Sequence, residues 1–212
     1  PTVAVLIHGR PLSPQLIAAK CPAILDAFYP GEEGGHALAR ILFGDVNPSG
    51  KLPVTLVRNV GQLPGFYYQQ PTGRFRNYVT SDSTPLFPFG HGLSYSSFEV
   101  SEPRLNKTEG SLTESVTVSV RVKNTGKRFG QEVVQLYVRD EIASRARPIK
   151  LLRGFRKVAL EPGEDQEVEF SLGSDDFGFY DSDGKLLLEP GRFKIMVGPN
   201  SENLKTVALT LT

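Results

Sequence analysis

The densest set of groups able to hold a small polar ligand lies between residues 58 and 84, RNVGQLPGFYYQQPTGRFRNYVTSDST. Phe66, Tyr67, Tyr68, Phe75 and Tyr78 are interleaved there with Gln69, Gln70, Arg74, Arg76 and Asn77. Aromatic rings stack on the C–H face of a pyranose, and amide and guanidinium groups bind its hydroxyls, so the mixture suits a carbohydrate. It equally suits a linker whose rings pack onto two domains and whose arginines pair with surface carboxylates. A segment of roughly 30 residues with little periodicity exceeds an ordinary connection, and such segments are functional loops or linkers.

Other reactive groups have plainer explanations. Glu32 and Glu33 in YPGEEGG form a carboxylate pair, but acids at a helix start are favoured by the helix dipole, and the glycines fit a tight strand-to-helix entry. GEEGG lacks the Lys-Ser/Thr of a phosphate cradle. His8, His36 and His91 have no metal-ligand spacing. His91, between two glycines, is expected to serve the backbone of its segment. Cys21 precedes Pro22 on an expected buried strand and reads as an inert core thiol. Asp175, Asp176, Asp181 and Asp183 lack the order of a calcium loop and read as turn formers.

The elements that must position these groups divide into two patterns. VAVLI at 3–7 is a continuous apolar run, as in a buried parallel strand. A short helix is expected over 13–19, with Ser13 as N-cap and Pro14 in the first position. Residues 22–27, PAILDA, read as a second strand. Ala37, Leu38, Ile41 and Leu42 mark a helix that Gly44 stops. This β-α-β-α order is that of an α/β layer, with Leu52–Val57 as a candidate third strand.

After residue 98 the period is two. SVTVSVRV at 115–122 puts four valines on one face, and EVVQLYVR at 132–139 is a second strong strand. Further strands are expected at 150–160, 166–172, 177–180, 185–188, 193–197 and 206–211. Turn signals such as Glu161-Pro162-Gly163 and Glu189-Pro190-Gly191 separate them. This pattern is an antiparallel β-sandwich with no helix of normal length. Between the two patterns lies Pro85–Tyr95, PLFPFGHGLSY, which is apolar yet interrupted by prolines and glycines. It can be neither a regular helix nor a central strand, and it reads as a shaped seal between two domains.

Composition sets the outer limits. The chain has 212 residues, 39% hydrophobic and 22% charged, which is globular, and its net charge of +1 excludes a nucleic-acid or membrane role driven by bulk charge. One cysteine permits no internal disulfide and excludes the disulfide-rich secreted class. Two or three strands cannot cover a parallel sheet, so the N-terminal part is expected to belong to a longer chain, or to a piece docked to its other half.

Three stretches carry a resemblance: YPGEEGGHALARILFGDVNPSGKLPVT, PLFPFGHGLSYSSFEV and GQEVVQLYVRDEIASRARPIKLLRGFRKVALEPGE. In this order they resemble the C-terminal third of family 3 glycoside hydrolases, nearest in type to bacterial periplasmic β-glucosidases. The implied fold is α/β plus all-β: the end of an α/β sandwich domain (1–57), a connecting segment (58–95), and a fibronectin type III-like β-sandwich (96–212). The implied activity is retaining hydrolysis of terminal β-D-glucosyl residues, or of xylosyl residues in the same family. Such chemistry needs two carboxylates about 5–5.5 Å apart. The family's nucleophile Asp and acid/base Glu fall in stretches that this sequence does not include, so no catalytic residue is expected within it.

The resemblance further places the TGRFRNY loop near the mouth of the substrate pocket. Arg74 and Arg76 would act there as donors, and Tyr68, Phe75 and Tyr78 as a wall for an outer sugar. The implied partners are a β-glucoside or cello-oligosaccharide, the N-terminal barrel and remaining α/β portion, and a second copy in a homodimer. The implied location is periplasmic or secreted; no cofactor, metal ion, nucleic acid or membrane is expected. A different class stays open, a non-catalytic module binding carbohydrate or protein through the sandwich. It is disfavoured by the absence of Trp and by sandwich aromatics that alternate with polar residues. Expressed alone, residues 1–57 should aggregate or stay unfolded; a cooperative thermal transition with a dispersed NMR spectrum would contradict this expectation.

Overall fold

A computed structural model describes residues 2–71 and 81–212. The chain opens with strand β1 (Val3–Ile7), helix α1 (Gln15–Lys20), strand β2 (Ala23–Phe28) and helix α2 (Gly34–Leu42). β1 and β2 pair in parallel from Val3↔Ala23 to Ile7↔Phe28. Helix α1 starts later than expected. Pro14 occupies the cap position and no side chain caps it, so Ser13 does not serve as N-cap. Cys21 lies between α1 and β2 and is only half-buried, which corrects the expectation of a core thiol. Gly44 stops the region of α2 with φ +82°, the left-handed conformation that glycine adopts without cost.

Leu52–Val57 does not extend the parallel pair. It runs antiparallel to the Pro85–Tyr95 stretch: Leu52 N–H donates to His91 O (2.8 Å), Gly90 N–H to Leu52 O (2.8 Å), and Leu56 N–H to Phe87 O (2.9 Å). Pro53 cannot donate to a central ladder, and Leu56 and Val57 find their burial here instead.

The sandwich follows: β3 (Phe98–Val100), β4 (Arg104–Leu105), β5 (Glu109–Gly110), β6 (Val116–Asn124), β7 (Gly130–Asp140), β8 (Leu151–Leu160), β9 (Asp165–Leu172), α3 (Ser174–Phe177), β10 (Phe179–Tyr180), β11 (Leu186–Leu187), β12 (Gly191–Gly198) and β13 (Lys205–Leu211). One sheet has the order β5-β13-β12-β7-β8. In the other, β6 is central, with β9 on one edge and β3 and β4 on the other. Residues 177–180 are not one strand. Asp176 accepts from Gly173 N–H (2.9 Å) and turns the chain into α3 before β10 begins. The four valines of β6 are buried against Val134, Leu136, Phe170, Ile195 and Leu209, and each fully buried valine contributes roughly 1.5–3 kcal/mol. The core lies inside the sandwich, whereas β1 and α1 contribute no buried side chain.

β7 is buried on both faces. Val134, Leu136 and Val138 face the core, while Gln135 and Tyr137 face the Pro85–Tyr95 stretch. Gln135 is 3% exposed. Its Nε2 donates to Gly90 O (3.2 Å) and Pro199 O (2.7 Å), and its Oε1 accepts from the Tyr137 hydroxyl (2.5 Å). Gly90 has φ +79°, and a Cβ there would stand 2.1 Å from Gln135 Oε1. Gly90→Ala should therefore cost about 2–5 kcal/mol, from left-handed strain plus overpacking. Chemical denaturation of the two proteins checks this, and an unchanged urea midpoint would contradict it.

Candidate functional site

The aromatic- and arginine-rich segment is closed at its base. Arg58 Nε donates to Thr84 O (3.1 Å) and Arg58 Nη2 to Thr84 Oγ1 (3.3 Å). Gln62 Nε2 donates to Asp82 O (2.7 Å), while Gln62 Oε1 accepts from the N–H groups of Arg58 (2.9 Å) and Asn59 (3.1 Å). These bonds bring residues 20 and 26 positions apart to one stem. Thr84 N–H on Asp82 holds that exposed carboxyl below its ordinary range and shapes the turn back into the stem.

Beyond the stem the chain fastens to the sandwich through Tyr67. Its ring stacks on Phe89 (centroids 4.3 Å apart) and meets Tyr137 edge-on (5.7 Å). Its hydroxyl accepts from Leu152 N–H (3.3 Å), and two residues on Ile149 N–H donates to Gln69 O (2.9 Å). Burial raises the pKa of the Tyr67 phenol, against the lowering effect of the Leu152 bond. Burial, reinforced by Tyr67, raises that of Tyr137 further. Both rings are therefore neutral packing groups near pH 7.

With Tyr67 turned inward, Phe66 and Tyr68 turn outward. Their rings stack at 5.0 Å with 15° between planes. Tyr68 is thus a half-exposed ring at the surface. Arg74, Phe75, Arg76 and Tyr78 lie outside the described residues. Sequence reasoning missed Tyr67 as the anchor, and Gln135, which accepts from the hydroxyl of its neighbour Tyr137. The one available signal was a Gln within the apolar run EVVQLYV, a pattern of a strand covered on both faces.

The remaining candidates are kept apart. Glu33 sits at the cap position, just before α2, and not in its first turn; its carboxylate pairs with His36 Nδ1 (2.7 Å) at the surface. His8 Nε2 contacts Asp26 Oδ1 (2.6 Å). The backbone of His91 bonds Leu52 and Pro88, and its ring stacks on Phe87 (5.2 Å). Asp181 Oδ1 accepts from Asp183 and Lys185 N–H (2.9 Å each), as a turn former does. Among the described residues no group of three or more His, Cys, Asp or Glu is placed to hold a metal ion. No helix among them is long and apolar enough to cross a membrane.

With this geometry in place, comparison with known proteins defines the class. Residues 1–95 match the glycosyl hydrolase family 3 C-terminal domain, and residues 132–201 match a fibronectin type III-like domain. The chain belongs to glycoside hydrolase family 3 and corresponds to the C-terminal part of its members. It is 48% identical to a β-xylosidase of Formosa agariphila, covering 100% of this chain and 30% of that protein. It is 42% identical to a periplasmic β-glucosidase of Salmonella typhimurium, covering 97% of this chain and 28% of that protein. A solved β-glucosidase from Erythrobacter marinus superposes with a TM-score of 0.97 at 70% identity, over 100% of this chain and 28% of that one. One from Listeria innocua in complex with glucose gives 0.95 at 37% identity, over 100% and 31%. The chain thus spans about three tenths of the relatives it matches.

Burial, and then the Lys51 charge, hold the His91 imidazole below its ordinary 6.5. The folded chain binds fewer protons there than the unfolded one, so this contribution to stability is complete above about pH 6.5 and is lost as pH falls through the lowered folded value. The melting temperature should therefore drop on acidification from about pH 7 to about pH 5. His91→Phe, which keeps a ring against Phe87 but cannot titrate, should flatten the drop. Equal pH slopes for the two proteins would refute this account.

Proposed function

We propose that this chain is the C-terminal portion of a retaining β-glucosidase that removes terminal β-D-glucosyl residues. In this reading residues 1–57 complete an α/β sandwich domain, 58–95 form the connection, and 96–212 form the supporting fibronectin type III-like domain. The reacting carboxylates lie in the rest of the enzyme, beyond this chain. The chain itself holds the two lobes together and forms a rim of the substrate cleft, with Tyr68, Arg74, Phe75, Arg76 and Tyr78 facing the outer sugar. The supporting observation is the fastening of the aromatic segment: its stem closes through Arg58 and Gln62, and Tyr67 pins it to β7 and the start of β8. A ring fixed in this way can be presented at constant geometry, which is what positioning a substrate demands.

The exposed side chains of β1 and α1 support a partner surface supplied by the remaining α/β portion. A periplasmic or secreted location accords with the printed name of the Salmonella relative. A homodimer could bring a second copy to the same cleft. The Formosa relative supports a second reading, a β-xylosidase. Rates of the complete enzyme on aryl β-glucoside and aryl β-xyloside decide between the two, and activity on neither would overturn both. In the complete enzyme, Arg74→Ala and Tyr78→Ala should each raise KM for a disaccharide roughly tenfold, the loss of a charged hydrogen bond or a stacked ring. Unchanged kcat/KM on disaccharide and aryl substrates alike would exclude the rim role. Retention of residues 96–212 alone on insoluble glucan would favour a binding module instead.

A further inference from the structure

We infer that the sandwich holds one internal water molecule, at a site built from Arg147, Arg153 and Asp140 where the turn from β7 to β8 passes α3. The site does not depend on the glycosidase reading above. A pocket of about 10 Å³ lies there, with Asp140, Arg147, Leu151, Arg153, Asp176 and Phe177 among its lining residues. That is room for one water molecule, and a sugar ring is far too large. All the lining residues fall within 132–201, the stretch that matches a fibronectin type III-like domain, so one domain supplies the whole site.

Two donors on the side chains that line this pocket lack a protein acceptor. Nε of Arg147 and Nε of Arg153 are both buried, and no acceptor among the described residues reaches either. Other contacts hold both side chains in place. The Arg147 guanidinium lies over the Phe179 ring, 4.5 Å from its centroid, and Arg153 Nη2 donates to Gly178 O (3.4 Å). Burial, and then the charge of Arg153, lower the pKa of Arg147, so the two guanidinium groups lie near each other. A buried donor with no acceptor forfeits the bond it had in water. Two such donors at one small pocket point to an acceptor they share.

A carboxylate faces them without closing the gap. Asp140 Oδ1 accepts from Ile142 N–H (3.2 Å), and the carboxylate keeps further lone pairs. Burial raises the pKa of Asp140, against the lowering effects of the Ile142 bond and then of the Arg147 charge. That charge acts through space, with no hydrogen bond from Arg147 to Asp140. A water molecule closes the arrangement: its oxygen accepts from both Nε–H groups, and one of its protons goes to the Asp140 carboxylate. Three bonds are what an internal water typically makes. The charges select a neutral ligand, because a halide would meet Asp140 and Asp176 and a metal cation would meet the two guanidinium groups. Ile149 and Leu152, whose N–H groups bond Gln69 O and the Tyr67 hydroxyl, lie between the two arginines in the chain. The water therefore ties down the stretch to which the aromatic segment is fastened.

The test is a crystal structure of the complete enzyme at a resolution that shows ordered water, from crystals grown once with sodium chloride and once with sodium bromide. One density peak is expected within about 3.2 Å of both Nε atoms and of the Asp140 carboxylate, with no anomalous bromide signal. Arg153→Met, which keeps an unbranched stem but removes the donor, should lose the peak. Arg147→Met gives the same comparison if the first variant does not fold. An anomalous peak at the site would replace water by a halide and overturn the inference. So would the absence of any peak in the unaltered enzyme, or a peak that persists unchanged without one of its two donors.

Discussion

The arrangement depends on one buried amide. Gln135 sits in the middle of β7 with its side chain on the face away from the core, where an uncovered sheet would meet water. Its two N–H groups go to the carbonyls of Gly90 and Pro199, and its oxygen takes the Tyr137 hydroxyl. A buried amide without partners costs roughly 1–3 kcal/mol, so the segment carrying Gly90 and the β12–β13 turn carrying Pro199 must both lie over β7 for the strand to be tolerated there. Ser201 N–H adds a bond to Phe89 O (2.9 Å), which ties the same two segments together. The requirement for glycine at 90 follows, because the carbonyl reaches Gln135 only if no Cβ intervenes.

Once that contact is made, the rest of the connection has little freedom. Phe89 is held beside Gly90, and Tyr67 stacks on Phe89 and Tyr137. Phe66 and Tyr68, at the turn beside it, stack on each other and stay about half-exposed. At the other end, Asn47 receives Ser94 Oγ (2.8 Å) and Tyr95 N–H (2.7 Å) and donates to Phe129 O (2.9 Å). Tyr95 reaches Ile41 O (2.8 Å), and Arg128 reaches Gly44 O (2.7 Å). The α2 end is thus linked to the sandwich by specific polar bonds more than by a shared apolar core. Polar seams of this kind fix orientation through geometry, because each donor has a single place to go.

Much of this architecture could be read in advance. The valines of β6 alternate without exception, and the end of the strand at Asn124, just before Gly126, is plain in the sequence. Its reason is not: Asn124 is buried and bonds Ser96, Gly126, Arg128 and Leu160 together, an arrangement visible only once β3, β6 and β8 are adjacent. Leu52–Val57 looked like a third parallel strand because local pattern cannot say which neighbour a strand finds. Pro53 was the warning, and Phe87 was the partner. Residues 177–180 look like a strand in composition, but the carboxylate of Asp176 makes a local bond that bends the chain first. In the aromatic segment, the type of Tyr68 could be recognised. Its fixed orientation could not, because that comes from Tyr67 and from strands more than 60 residues further along the chain.

Lys51 and Glu132 show what such a seam gives that apolar contact would not. Their charges meet at 2.7 Å with side chains only 11% and 8% exposed. Lys51 also donates to Gly92 O (2.9 Å), and Glu132 Oε1 accepts from Val133 N–H (3.0 Å). Removing two charges from water costs several kcal/mol per ion, so the pair is a weak source of net stability even when fully bonded. It is a strong source of uniqueness, because a shifted connection would leave both charges buried and alone. An apolar pair in these positions would tolerate sliding of residues 50–92 along the end of β7. The ion pair permits one register, and that register carries Gly90 onto Gln135 and, through Phe89, the aromatic segment onto the sheet.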